Sequence, residues 1–144
     1  MDYRVIDHSV CVIAYKKNNI NYAMTCAWAM MVDYDKIVCL LGEQSVTGKN
    51  LCKGDKIGVS TLAIDQKNIA LKLGDNHSDE TDKLNGIKYS LNETAITIDS
   101  SKTEMLCEVI DILHLNEIES DNLLYLRILD KKQNDKKFLH MEDF

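Results

Sequence analysis

From Val10 onwards the chain is a succession of short apolar, β-branched runs, each broken by a cluster of Asn, Asp, Ser or Gly. A chain patterned this way folds as many short strands, and closing them on one another is the way to dispose of exposed sheet edges. Proline is absent, so the boundaries are read from Gly, Asn and Asp. Val10-Cys11-Val12-Ile13-Ala14-Tyr15 ends at the polar turn Lys16-Lys17-Asn18-Asn19, and a strand pattern resumes over 20–27, which predicts a hairpin. Residues 36–41 are apolar at nearly every position, the pattern of a strand buried on both sides, and stop at Gly42. Further strands are predicted over 56–62, 87–91, 94–98, 105–115 and 123–129, with a last edge strand over 136–141.

Two short helices interrupt this series. The first lies within 45–53, capped by Ser45 or Thr47 and ended by Lys53-Gly54. The second starts at a capping Asp65, places Ile69 and Leu73 on one face and stops at Gly74. An acidic loop follows over 75–86. The fold class is mainly β, a closed or nearly closed barrel, and 144 residues without repeat or low-complexity tract fit one domain spanning 1–144.

Charge and cysteine usage exclude several function classes. A net charge of −6, spread along the chain, does not suit neutralising a phosphate backbone, so no nucleic-acid partner is expected. No run approaches the roughly 20 apolar residues of a membrane span, and the start Met1-Asp2-Tyr3-Arg4 lacks the pattern of a signal peptide. Five cysteines, odd in number and without a C-x-x-C pair, lie mostly in apolar runs, as thiols of a reducing cytoplasm do. On that reading the Asn92-Glu93-Thr94 sequon is silent. His8, His77, His114 and His140 make no ligand spacing with each other or with cysteine, so no metal is expected. No G-x-S-x-G elbow or Cys/His arrangement marks a nucleophile, and the acidic pairs are read as solvated, so no catalytic side chain is assigned.

Thr47-Gly48-Lys49 suggests a phosphate loop. A Walker A motif needs four residues between its glycines and a hydroxyl after the lysine; here Gly42 and Gly48 have five between them and Asn50 follows Lys49. The chain is therefore not a P-loop NTPase. Two hydroxyls, a lysine and free amides at a helix start still suit one bound anion, although the segment taken alone reads first as a plain polar loop capping a short helix.

The order of several segments decides between these. Asn21-Tyr22-Ala23-Met24-Thr25-Cys26-Ala27-Trp28 resembles the N-x-M-T-x-S-W strand of flavin reductase-like and flavoredoxin-like proteins. The buried strand 37–41 follows, then Ser45 and Thr47 where that family has phosphate-binding hydroxyls. Val59-Ser60-Thr61-Leu62 resembles V-N-V-L, Asp82-Lys83-Leu84 resembles D-K-F, Met105-Leu106-Cys107-Glu108-Val109 resembles L-x-C-x-V, and 121–128 resembles G-D-H-x-x-x-x-G-R-V. The resemblance covers roughly residues 8–130 and rests on the shared order, each motif being weak alone.

The resemblance implies an FMN-binding split β-barrel of Greek-key type with two short helices, and a homodimer with flavin near the subunit interface. It implies an oxidoreductase passing electrons from NADH or NADPH through bound FMN to free flavin, oxygen, a ferric complex or a partner protein. An isoalloxazine needs a flat apolar slot with peptide groups along its pyrimidine edge. On the resemblance, Met24, Thr25, Cys26, Ala27 and Trp28 form that slot, Ser45, Thr47 and Lys49 take the phosphate, Ser60 and Thr61 reach the ribityl chain or ring edge, and Lys83 closes from its loop. Three departures stand out: Asp33-Tyr34-Asp35 where the family has proline, Ser60 for its Asn, and Asn122 and Leu126 for the His and Gly of its later motif. The change at Asn122 leaves open an electron carrier or interaction module without NAD(P)H turnover.

Overall fold

The computed structural model describes residues 5–42, 50–75, 83–118 and 121–144. Among these residues nine strands run in chain order: β1 (Cys11–Lys17), β2 (Ile20–Cys26), β3 (Ala29–Asp33), β4 (Lys36–Gly42), β5 (Lys56–Thr61), β6 (Tyr89–Asn92), β7 (Ala95–Ile98), β8 (Thr103–Leu113) and β9 (Asp121–Gln133). A 3₁₀ turn over Ile64–Gln66 leads into the helix α1 (Lys67–Asp75). The mainly β class is as expected from the sequence.

The hairpin β1–β2 closes through Asn18 and Asn19, both at positive φ (53° and 63°), the left-handed pair that a two-residue turn between twisted strands requires and that Asn tolerates. The ladder then runs β3-β4-β9-β8-β5-β1-β7-β6, with β2 also paired to β1. Following β2, β1, β5, β8, β9 and β4 in turn wraps the sheet around one interior. There β2 and β4 meet without a ladder: Leu40 N donates to Trp28 O at 2.8 Å and the Cys26 thiol lies 3.5 Å from Leu40 O. This seam is the split in the barrel.

Inward-facing residues of the six strands, among them Ile13, Tyr15, Cys39, Leu41, Ile57, Cys107, Leu124 and Leu126, form one buried core that Leu51 joins. A second core lies outside β1, where Val12, Ala14 and Ala23 pack against Ala70 and Leu73 of α1 and Ile96 and Ile98 of β7. Burial of such side chains is the main favourable term, roughly 1.5–3 kcal/mol for each large aliphatic.

Five expectations need correction. β3 was not expected: its Met30, Met31, Val32 and the following Tyr34 are exposed, and the strand is held by its ladder with β4 rather than by burial. β4 is buried on one side only, with Ile37, Cys39 and Leu41 inside and Val38 and Leu40 part-covered outside. Residues 136–141 form single bridges, Ser9 to His140 and Ala63 to Phe138, in place of an edge strand. Asp65 lies in the 3₁₀ turn rather than capping α1, which begins at Lys67. Of the first predicted helix, residues 50–53 are not helical and 45–49 lie outside the described residues.

Four thiols are buried and Cys52 is exposed. Burial pushes Cys26 up to about 11 and Cys107 to about 12, and holds Cys11 and Cys39 above the usual thiol range as well. A thiol reagent at mildly alkaline pH is therefore expected to modify Cys52 alone in the native protein and all five cysteines after denaturation. Rapid native reaction of a second cysteine, located by peptide mass spectrometry, would contradict this burial.

Candidate functional site

The seam between β2 and β4 opens into a cavity of about 710 Å³ lined by Met24, Thr25, Cys26, Ala27, Trp28, Leu40, Gly74 and Ile118. All five residues of the Met24–Trp28 segment singled out in the sequence are thus brought to one place. Leu40, Gly74 and Ile118 come from β4, the last turn of α1 and the segment after β8, which no local motif joins to β2.

The walls are largely apolar, and Trp28 is 55% exposed at the rim. Ala27 and Trp28 stand between β2 and β3, outside either ladder. The Trp28 carbonyl accepts from Leu40 N and its amide faces the Cys26 sulfur; the peptide at Ala27 carries no ladder bond. The Thr25 hydroxyl donates to Ala70 O at 2.6 Å, which ties β2 to α1 and leaves its oxygen lone pairs as acceptors.

The other singled-out residues separate. Ser60 is fully buried and its Oγ accepts from Ile98 N at 2.9 Å, a bond inside the second core, so it does not line this cavity. Thr61, the next residue, faces the opposite way and lines a different cavity of about 290 Å³ at the mouth of the barrel, together with Cys11. Lys83 is 6% exposed, and its Nζ donates to Ala23 O (3.1 Å) and Leu73 O (2.9 Å). It clamps β2 to the end of α1, on the two elements that supply Thr25 and Gly74. Ser45, Thr47 and Lys49 lie outside the described residues.

The clamp has a stability consequence. Lys83→Met keeps the apolar stem but strips two buried carbonyls of a charged donor, so unfolding free energy is expected to drop by about 2 kcal/mol. Urea titration checks this; an unchanged midpoint would mean the carbonyls find other partners.

Among the described residues no group of three or more His, Cys, Asp or Glu is placed to hold a metal ion, and no helix is long and apolar enough to cross a membrane. Asn122, at the start of β9, is 8% exposed and its Oδ1 is buried without a hydrogen-bond partner among the described residues.

Comparison with known proteins gives a consistent result. The family described as Flavin reductase like domain matches residues 3–142. The fold superposes on the NADH:FAD oxidoreductase of Streptomyces globisporus with a TM-score of 0.84 at 14% identity, over 94% of this chain and 81% of that one. An FMN-binding protein from Thermus thermophilus, solved with bound p-hydroxybenzaldehyde, gives 0.82 at 14% identity, over 94% and 77%. Flavoredoxin from Methanosarcina acetivorans gives 0.80 at 13% identity, over 94% and 74%. No curated protein matches the chain by sequence.

Proposed function

The chain belongs to the flavin reductase like family, and from that premise we propose that it is a flavin-dependent oxidoreductase that holds FMN in the cavity at the β2–β4 seam. The observation that carries the reading is the convergence of Met24, Thr25, Cys26, Ala27 and Trp28 with Gly74 on one largely apolar cavity. The residues present fit the group. A volume of about 710 Å³ lies within the usual range for a ligand site, the walls are apolar, and the off-ladder peptide at Ala27 supplies backbone groups for a pyrimidine edge.

FMN, when bound, supplies a hydride acceptor and an electron donor, so the protein's task is to bind and orient. Met24, Leu40 and Ile118 would flank the ring system and exclude water from it, Trp28 would cover the rim, and Thr25 would accept a hydrogen bond from the ring edge. Ser45, Thr47 and Lys49 are proposed for the phosphate on the sequence pattern. Lys83 is a positioning residue that fixes β2 against α1, and Ser60 holds β5 against β7.

NADH or NADPH is the proposed donor, a reading supported by the NADH activity named for the Streptomyces relative. Free flavin, oxygen, a ferric complex or a protein is the acceptor. A homodimer is proposed as well: Trp28, Val32 and Tyr34 leave exposed apolar surface beside the part-covered outer side of β4, which a second copy would bury. A single domain over the whole chain and a cytoplasmic location complete the proposal.

A second reading rests on Asn122. Its buried, unpartnered amide oxygen stands where the family motif has His, and favours an electron carrier without NAD(P)H turnover. Steady-state NADH or NADPH oxidation by the FMN-loaded protein, set against free FMN at equal concentration, separates the two. Turnover above the control supports the reductase, and turnover equal to it leaves the carrier. Within either reading Thr25→Val is expected to weaken FMN about tenfold, one hydrogen bond to a polar ring edge; unchanged affinity by fluorescence quenching would remove Thr25 from the site.

A further inference from the structure

The cavity at the barrel mouth is separate from the flavin cavity, and none of its lining residues is shared. The two are joined by one rung of the β1–β2 ladder. Cys26 lines the first, and its cross-strand partner Cys11 lines the second. At about 290 Å³ the second is at the lower end of ligand-site volumes, too small for a three-ring system and suited to one ring or a short chain.

Its chemistry is divided. Met30, Met31, Met105 and Phe138 contribute walls that are apolar and adaptable, three of them methionines, whose flexible thioethers mould to rings. At the rim stands Lys131, an exposed cation that makes no ion pair with the described residues. It opens a segment, 131–137, with four lysines and one aspartate in a chain of net charge −6. Lys102 lies 5.4 Å from the centroid of the Phe138 ring and donates to a backbone carbonyl, with no carboxylate partner among the described residues. Thr61 holds a buried Oγ1 without a partner among the described residues, a group that gains from an acceptor seated beside it.

We propose that this second cavity binds a small apolar carboxylate, a single-ring or short-chain acid, with its body among Met30, Met31, Met105 and Phe138 and its carboxylate at Lys131. An apolar pocket with one cation at its mouth selects an amphipathic anion over a neutral compound of the same shape, because the neutral one leaves the cation's interaction unmade. The inference does not rest on the flavin reading, since no residue of the flavin cavity takes part.

The test uses the full chain without added flavin, with benzoate as probe and benzyl alcohol as its neutral counterpart, followed by calorimetry and ligand-observed NMR. Saturable benzoate binding is expected, with benzyl alcohol about tenfold weaker, the worth of one charge-assisted contact. Lys131→Gln should bring benzoate down to the level of the alcohol. Met31→Trp, on an exposed strand position that accepts a large side chain, should fill the mouth and abolish binding of both, with the thermal melt as a check that either variant folds. Equal binding of acid and alcohol, unchanged binding in both variants, or no saturable binding at all (including a mouth covered by a second copy) would each overturn the proposal.

Discussion

Gly58→Ala is expected to be the most damaging small substitution in this protein. Gly58 lies in β5 opposite Ala14 of β1 and Leu106 of β8. A Cβ built there would sit 1.7 Å from Ile96 O and 2.4 Å from Ile96 C. The obstacle is backbone of β7, which cannot rotate away as a side chain would. β7 is also fixed on either side of the contact, by its ladder with β6 and by the Tyr15–Ala95 bridge to β1. Relief therefore requires β5 and β7 to move apart, which opens the outer core around Ile96 and Ile98 and stretches the Ser60–Ile98 hydrogen bond. Overpacking of a well-filled core costs about 1–3 kcal/mol and more when backbone is struck, so a loss of at least about 3 kcal/mol is expected. Urea unfolding, or the soluble fraction on expression, reads the effect. A midpoint close to wild type would mean that β7 does not pack on β5 as described.

Gly74→Trp is expected to have the largest effect on ligand binding with little on folding. Gly74 is exposed in the last turn of α1 and is absent from the positive-φ residues, so the backbone accepts a side chain. Among the described residues a Cβ there meets Thr25 Cβ and Oγ1, both at 3.9 Å, an ordinary contact. The side chain would thus leave the helix toward Thr25 and into the seam cavity that both residues line. An indole of that size takes much of the space proposed for the flavin ring. FMN affinity should fall at least about tenfold while the thermal midpoint changes little, because no core contact is removed. Gly74→Ala, which adds only the Cβ, should bind nearly as wild type. If the Trp variant retains flavin as tightly as wild type, the ring lies elsewhere.

These two glycines show how far the sequence speaks for itself. Gly74 reads as a helix stop and Gly58 as an unremarkable strand residue; neither reading carries the tertiary neighbour that gives the position its meaning. The β1–β2 hairpin was legible because its determinants are local: two Asn residues able to adopt positive φ between two apolar runs. β3 was not, because its exposed methionines follow no burial alternation and its register comes from β4. The strand expected over 136–141 has the composition of a strand, but its residues find only single bridges at Ser9 and Ala63.

The candidate site divides along the same line. Residues 24–28 are contiguous, so a motif on one strand end was enough to find them. Leu40, Gly74 and Ile118 reach the cavity from three other elements and leave no trace in local pattern. Ser60 and Thr61 were expected to act together, yet adjacent residues of a strand point to opposite faces. One therefore serves the outer core and the other the barrel mouth. In the sequence Lys83 reads as a loop cation closing on a ligand, and the structure gives its ammonium two backbone carbonyls.

Whether the seam cavity holds FMN is read from a visible absorption spectrum of the purified protein, taken before and after loading with FMN and removal of the excess by gel filtration. Flavin bands are expected to travel with the protein at near one FMN per chain and to be lost in Gly74→Trp. Protein that emerges colourless, and neither retains nor quenches added FMN, would contradict that expectation.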